Sequence, residues 1–230
     1  PEDGMTSFAL YCEDDEDEVQ RRLADVLKFY NASFSDLHGR VLFMSRVGEI
    51  NEMMRFGFKN DTGVRTALFN QVEETIRMRG VQLTLLDTVA DIFMGNENIR
   101  PQVRGFITAI RRLALINNGG VIITAHPSRA GMADGSGLSG STGWNGSVRS
   151  RIYLTKPKVK DADIDGEEGQ TNERILKTMK SNYGASGDVI RLKWEQGVFL
   201  RTDPTSGSLL DRLDDDRKVL EAARWLISRG

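Results

Sequence analysis

The stretch from Val81 to Asn98 reads VQLTLLDTVADIFMGNEN and decides the fold. Its first six residues, VQLTLL, form an apolar run with the length of a strand that is buried on both faces. The run ends at Asp87, so a carboxylate directly follows a buried strand. In a doubly wound parallel sheet, ligands bind outside the carboxyl ends of the strands. Asp87 is therefore predicted to lie at a ligand site.

Strands of the same kind alternate with helical segments on both sides of this stretch. Apolar runs occur at Phe8 to Cys12, Val41 to Ser45 and Gly120 to Ala125. The clearest helical stripe follows Pro101, which stands in the first turn, where proline is tolerated. The apolar residues of this stripe are Val103, Phe106, Ile107, Ile110, Leu113 and Ala114. The alternation predicts parallel βαβ units, and hence an α/β fold with a largely parallel sheet flanked by helices.

The chain changes character after residue 130. Six glycines occur in the 17 residues from Gly131 to Ser147, which predicts a long loop without regular structure, and such loops are usually functional. Strand candidates then follow without intervening helices, at Val148 to Thr155, Ile175 to Lys180 and Val189 to Trp194. A hairpin return at Val198 to Arg201 completes the series. These strands predict an antiparallel edge to the sheet.

Bulk composition restricts the classes of function. The 230 residues are 39% hydrophobic and carry a formal charge of -2, so the chain can fill a normal core and exerts no global pull on nucleic acid. Cys12 is the single cysteine, which excludes an internal disulfide and fits a reducing compartment. No apolar run approaches the roughly 20 residues of a membrane helix. We expect a cytoplasmic protein with no membrane partner and only local contacts to nucleic acid.

Polar side chains follow three of the predicted strands: Glu13, Asp87 and His126. One carboxylate in such a place can hold Mg²⁺ through water, and a second can orient an attacking water. A histidine can sense a transferring phosphoryl group. Each residue also has a simpler interpretation, as an acidic helix start, a turn cap or a loop residue. Their joint placement at strand ends favours the functional interpretation.

Phosphate binding in such enzymes uses a loop of the form G-x-x-x-x-G-K-[ST]. The dipeptide Gly-Lys does not occur in this chain, and the glycine-rich segment at 131 to 147 contains no lysine. That segment is better suited to contact DNA, with Arg129 providing charge, Trp144 a stacking surface, and Ser139 and Ser141 hydrogen bonds. The alternative is a plain surface loop.

Two arginines, Arg149 and Arg151, alternate along the predicted strand VRSRIYL and would point to the same face. Such residues are commonly only solvated. The functional alternative is an arginine finger that reaches the nucleotide of a neighbouring subunit.

Five blocks in order carry a family resemblance: LYCEDDEDEVQRRL, LLDTVADIFMGNEN, IITAHPSRAG, GSGLSGSTGWNGSVRSRIYL and KTMKSNYGASGD. Together they resemble the RepA-type hexameric replicative helicases and their phage and prophage relatives, AAA-like ATPases of the RecA and DnaB superfamily. The resemblance implies a RecA-like P-loop NTPase core that uses ATP and Mg²⁺, binds single-stranded DNA and forms a ring, with a hexamer expected.

The resemblance also implies roles for single residues. Glu13 matches the catalytic glutamate, and Asp87 matches the Walker B aspartate that holds Mg²⁺ through water. His126 matches the γ-phosphate sensor, and Arg149 the arginine finger. Lys180 matches a second basic residue near the neighbouring nucleotide, but the arginine expected two residues later is Asn182 here. Arg151 is expected to assist in binding the nucleotide.

The match departs from the family at the front, because members begin with a Walker A strand, loop and helix that this sequence does not contain. We expect residues 1–205 to form an ATPase core that is incomplete at its N-terminus, and residues 206–230 to begin a helical extension. The expected function is an ATP-dependent DNA helicase or translocase in replication, although this chain alone should be inactive. The alternatives are a non-hydrolysing DNA-binding accessory module and a recombinase-like filament.

Overall fold

A computed structural model describes residues 4–57, 63–138, 142–157 and 172–202. The described chain divides into two compact units, Pro1–Arg149 and Ser150–Gly230. Three parts of the sequence-based prediction lie outside the described residues: Ser139, Ser141 and the helical extension of 206–230.

The first unit contains six strands and six α-helices in the described residues, together with a 3-10 turn at Phe34–Leu37. The strands are β1 (Ser7–Tyr11), β2 (Val41–Ser45), β3 (Met54–Arg55), β4 (Val64–Arg65), β5 (Leu83–Asp87) and β6 (Gly120–Ile123). The helices are α1 (Glu16–Phe29), α2 (Ala67–Arg79), α3 (Val89–Ile92), α4 (Arg100–Ile116), α5 (Arg129–Ala133) and α6 (Thr142–Ser147).

Four of these strands form one parallel sheet in the order β2-β1-β5-β6. In its register, Tyr11 pairs with Asp87, and Leu86 pairs with Ile123. The predicted parallel sheet is confirmed, and the carboxyl ends of its four strands lie along one edge.

The helices begin and end at residues suited to those positions. The Asp15 side chain accepts a hydrogen bond from the backbone N–H of Glu18 at 2.8 Å and so caps α1. Thr66 caps α2 in the same way, and Gly80 ends that helix with a φ of 63°. Glycine takes this left-handed conformation without the cost that a side chain would add.

The core lies between the sheet and its helices. Helix α4 contributes Val103, Phe106, Ile110 and Leu113, each at most 3% exposed, which confirms the predicted stripe. These side chains join buried residues of the central strands, including Leu10 and Leu86 at 0% exposure. Burial of this apolar surface is the main force that holds the strand ends in a fixed arrangement.

The second unit is an antiparallel sheet in the order β10-β9-β8-β7. Its strands are β7 (Ser150–Thr155), β8 (Glu173–Ser181), β9 (Val189–Glu195) and β10 (Val198–Arg201). The predicted hairpin turns through Gln196 and Gly197, which have φ values of 49° and 88°. The antiparallel pairing is confirmed, and these strands pair with one another as a sheet of their own.

Two stretches contain regular structure that the sequence pattern does not show. The short strands β3 and β4 form a ladder of two residue pairs, too brief to leave a periodic pattern. The glycine-rich stretch carries α5 and α6, so the prediction of no regular structure was wrong there. Ser128 explains α5, because its hydroxyl accepts a hydrogen bond from the Gly131 N–H at 3.1 Å. None of the helices in the described ranges is long and apolar enough to cross a bilayer.

Candidate functional site

Three neighbouring strands bring the predicted residues to one edge of the sheet. Asp87 is the last residue of β5, Glu13 lies two residues beyond β1, and His126 lies three residues beyond β6. The backbone continues the sheet past the strand ends, since the Cys12 N–H donates to the Asp87 carbonyl at 2.8 Å. On the other side, the Val89 N–H donates to the Thr124 carbonyl at 2.9 Å. The strand ends are therefore fixed relative to one another by backbone hydrogen bonds.

Glu13 and His126 are in direct contact. Glu13 Oε1 lies 3.4 Å from His126 Nε2, and the pair is charged when the imidazole is protonated. Their side chains are 49% and 73% exposed, so both can meet a ligand from solvent. Because β5 lies between β1 and β6, this contact reaches across the end of the strand that carries Asp87. Glu13 and His126, which are 113 positions apart in sequence, thus follow the two strands on either side of the one that ends at Asp87.

Asp87 is held in place by a residue that sequence reasoning missed. The Thr124 hydroxyl donates a short hydrogen bond to Asp87 Oδ1, and the Thr124 N–H donates to the Leu86 carbonyl at 3.1 Å. Thr124 is the one hydroxyl residue within the apolar run GVIITA, and that interruption was the available signal. The peptide bond between Asp87 and Thr88 is cis. The hydrogen bond from Thr124 of the β6 side fixes the Asp87 carboxylate at the end of β5 through Oδ1.

The electrostatic field at this edge is negative. Burial, with smaller contributions from the carboxylates of Asp91 and Asp87, raises the pKa of the Cys12 thiol to about 12. Burial also raises the pKa of the Tyr11 phenol, with Asp87 and Asp14 adding to the effect. Burial is the larger cause for both groups, and the nearby carboxylates add to it. Together they keep Cys12 protonated and unreactive at neutral pH, and the same carboxylates favour a bound cation.

The donor set at Asp87 fits Mg²⁺ bound mainly through water. Within the described ranges no cluster of three or more His, Cys, Asp or Glu side chains could enclose a metal ion. Mg²⁺ commonly binds one or two carboxylates and keeps most of its water or takes oxygens from substrate phosphates. Asp87, oriented by the Thr124 hydroxyl, supplies one such carboxylate.

The loop after β6 is shaped by Gly131. A Cβ at this position would lie 2.2 Å from the Leu138 carbonyl oxygen, so only glycine fits. The Ser128 N–H and hydroxyl both lie 2.9 Å from that same oxygen and close the loop on itself. Arg129, the first residue of α5, is exposed beside this closure. The loop thus presents a guanidinium close in sequence to His126.

Trp144 has a packing role in the structure. Its ring lies 4.9 Å from that of Phe93 and 6.0 Å from that of Phe106, edge to face in both pairs. Its indole N–H donates to Glu97 Oε2 at 3.2 Å. Trp144 therefore attaches α6 to the core at α4.

The predicted basic residues fall on both sides of the boundary between the units. Arg149 is exposed and precedes β7, which begins at Ser150. Only Arg151 of the two arginines therefore lies in the strand. Within the second unit, Arg151 pairs in register with Lys180 across β7 and β8, and a bulge follows Arg151. Arg151 and Lys180 are both partly buried in this sheet.

A parallel sheet flanked by helices carries Glu13, Asp87 and His126 at its carboxyl edge, which is where ligands bind in open α/β sheets. A family model with the description AAA domain matches residues 3–132. The chain belongs to this family, AAA_25. Its fold and family are thus those of P-loop ATPases. The matched range contains Glu13, Asp87 and His126.

Solved structures share the fold at low sequence identity. The crystal structure of the RadB recombinase aligns with a TM-score of 0.56 and 10% identity, over 85% of this chain and 78% of that one. A KaiC-like protein from the hyperthermophilic archaeon Pyrococcus horikoshii OT3 aligns with a TM-score of 0.55 and 11% identity, over 87% and 76% of the two chains. No curated protein sequence matches the chain.

Proposed function

We propose that the protein hydrolyses ATP at the edge formed by Glu13, Asp87 and His126, as part of a DNA helicase or DNA-translocating ATPase of the RepA and DnaB type. The observation that supports this is the contact of 3.4 Å between Glu13 and His126 across the end of the Asp87 strand. Membership of an AAA family supports nucleotide as the ligand.

In the proposed reaction Glu13 orients the attacking water and accepts its proton. The water oxygen bonds to the γ-phosphorus as the bond to the β–γ bridging oxygen breaks, and ADP leaves with that electron pair. Asp87 would hold Mg²⁺, which neutralises charge on the phosphates. His126 would donate to a γ-phosphate oxygen, and its contact with Glu13 would then be exchanged for one with the nucleotide. The half-exposed Glu13 is thereby released toward the water.

The phosphates also need a cradle of backbone amides. This sequence has no Gly-Lys dipeptide, so the proposed activity requires a phosphate-binding loop supplied from outside these 230 residues. The 230-residue chain alone should therefore not turn over ATP, whereas the intact gene product should.

The proposed helicase acts as a ring of subunits. Arg149, with Arg151 and Lys180 in the second unit, would act on the nucleotide of a neighbouring subunit in a hexamer. Arg129 and the loop that begins at Ser128 would contact single-stranded DNA. Arg129, which would contact DNA, is close in sequence to His126, which would contact the γ-phosphate. We therefore expect ATP turnover to be coupled to movement of the DNA strand.

The test is ATP turnover and strand separation by the intact gene product and its Glu13→Gln variant. Loss of the base should lower kcat by about 100-fold or more, with nucleotide affinity changed little. Glu16→Gln is the matched control, because Glu16 is an exposed carboxylate of the same acidic run at the start of α1. Turnover by Glu13→Gln equal to that of the control would remove Glu13 as the base.

A second candidate is a DNA-binding accessory module that has no nucleotide chemistry, which the absence of Gly-Lys favours. The intact gene product would then bind DNA but release no phosphate from ATP at any DNA concentration. DNA-stimulated phosphate release excludes this candidate.

A further inference from the structure

The outer face of α4 carries a concentration of positive charge that the proposed reaction does not use. The helix contains four arginines and no acidic residue, although the whole chain has a net charge of -2. Arg100, Arg104 and Arg111 recur at spacings of four and seven residues, which places them on one side of the helix. The opposite side is the buried stripe that packs on the core. This arrangement concentrates charge locally in a chain that is otherwise near neutral.

These arginines line an open groove of about 1240 Å³ between α4 and the β3–β4 ladder. Arg65 of β4 and Arg112 of α4 complete a set of five arginines, and none of the described residues that line the groove is Asp or Glu. Gly105 and Ala109 also line it, and their small side chains leave room for a ligand. The groove lies within the first unit, and its lining does not include Glu13, Asp87 or His126.

Part of this charge is fixed by one buried carboxylate. Glu73 of α2 is 7% exposed and makes ion pairs with Arg112 at 2.7 Å and Arg65 at 3.2 Å. A third arginine, Arg77, lies 3.5 Å from it. The hydrogen bond from Arg112 is the main cause that lowers the pKa of Glu73, so the carboxylate stays ionised. Glu73 thus positions two groove arginines and offsets one of their charges.

Two other groove arginines are available to a ligand. Arg104 and Arg111 are exposed, and neither makes an ion pair within the parts of the chain that the structure describes. Arg100 is exposed at the N-terminal end of the same face. From Arg100 to Arg111 the helix rises by about 16 Å, so these arginines can contact more than one phosphate of a single strand. Guanidinium groups match phosphate oxygens in a fork geometry.

We propose that this arginine groove binds the phosphate backbone of single-stranded nucleic acid. The lining residues that the structure describes include no aromatic side chain, so contact with them is through phosphate and independent of base sequence. The other polyanion that the charge would fit is an acidic protein segment. A nucleic-acid strand is favoured, because every unit of its backbone carries a phosphate and can therefore meet arginines at unequal spacings, whereas a peptide would need acidic residues at matching positions.

The test is fluorescence anisotropy of a labelled oligothymidylate with the 230-residue chain, without nucleotide. Arg104→Ala combined with Arg111→Ala should weaken binding about tenfold at low salt. It should also reduce the slope of log affinity against log salt by about 1.4, because two phosphate contacts on a single strand are lost. Arg104→Lys with Arg111→Lys keeps the charge and should bind within about threefold of the parent chain.

Arg40→Ala with Arg79→Ala is the matched control, since both residues are exposed arginines outside the groove lining. It should leave affinity within about twofold of the parent chain. Equal affinity of the groove variant and the control overturns the proposal. In a competition assay, polyglutamate is compared with unlabelled oligothymidylate of the same charge. If polyglutamate displaces the labelled DNA at the same concentration, the proposal is also overturned and the groove is assigned to an acidic protein segment.

This inference uses the DNA partner of the proposed function but not its chemistry. The anisotropy assay contains no nucleotide and leaves Glu13 intact. A negative result for DNA binding in the groove therefore does not affect the test of ATP hydrolysis. An inactive Glu13 site would likewise leave the anisotropy result unchanged.

Discussion

Replacing Trp144 by alanine tests whether this residue packs or binds DNA. A tryptophan side chain buries up to about 250 Å², and Trp144 is partly buried, so loss of about 100 Å² at 25 cal/mol per Å² costs about 2.5 kcal/mol. The edge-to-face pairs with Phe93 and Phe106 and the hydrogen bond to Glu97 add about 1 kcal/mol. Trp144→Ala should therefore lower the free energy of unfolding by about 3 to 4 kcal/mol.

The assay is urea unfolding followed by circular dichroism, with Trp194→Ala as the control. Trp194 is 45% exposed, so Trp194→Ala should lower the free energy of unfolding by about 1 kcal/mol or less. Trp144→Phe should recover more than half of the loss, because it restores the ring contacts, and it should leave DNA affinity unchanged. A cost below about 0.5 kcal/mol for Trp144→Ala, or a loss of DNA affinity in Trp144→Phe, would refute the packing role.

Two further predictions concern ionisation in the first unit. At pH 8, the Cys12 thiol should react with a maleimide about 1000-fold more slowly in the folded chain than in urea, because its pKa is raised from 9.0 to about 12; a difference under tenfold would contradict this. Glu73→Gln should lower the free energy of unfolding by about 1 to 2 kcal/mol at pH 7. Since the folded pKa of Glu73 is lowered from 4.5, this difference should shrink as the pH falls below 4.5, and urea titrations at pH 7 and pH 3 check it.

The parallel part of the fold could be predicted because its strands are apolar runs and its helices have a clear period. β2 has the predicted bounds, and β1 and β5 differ from them by one or two residues at an end. The predicted strand ends then placed Asp87 correctly at the edge of the sheet. A buried parallel sheet produces this agreement, because both its faces must be apolar.

Side-chain partnerships at the site could not be predicted in the same way. The contact of Glu13 with His126 depends on the strand order, which puts β5 between β1 and β6. The support of Asp87 by Thr124 depends on register. Trp144 looked like an exposed loop aromatic, because glycines surround it and its partners Phe93 and Phe106 are distant in sequence. Each of these contacts is long-range, so the local sequence pattern can mark a residue such as Thr124 as unusual but does not identify its partner.

The measurement that tests the central claim most directly is a double-mutant cycle for ATP turnover by the intact gene product. It compares kcat of the parent protein with Glu13→Gln, His126→Asn and the combined variant. If both side chains act on one γ-phosphate and its attacking water, their effects are strongly non-additive, and the combined variant should be about as slow as the slower single variant. A kcat in the combined variant equal to the product of the two separate losses would contradict a shared site.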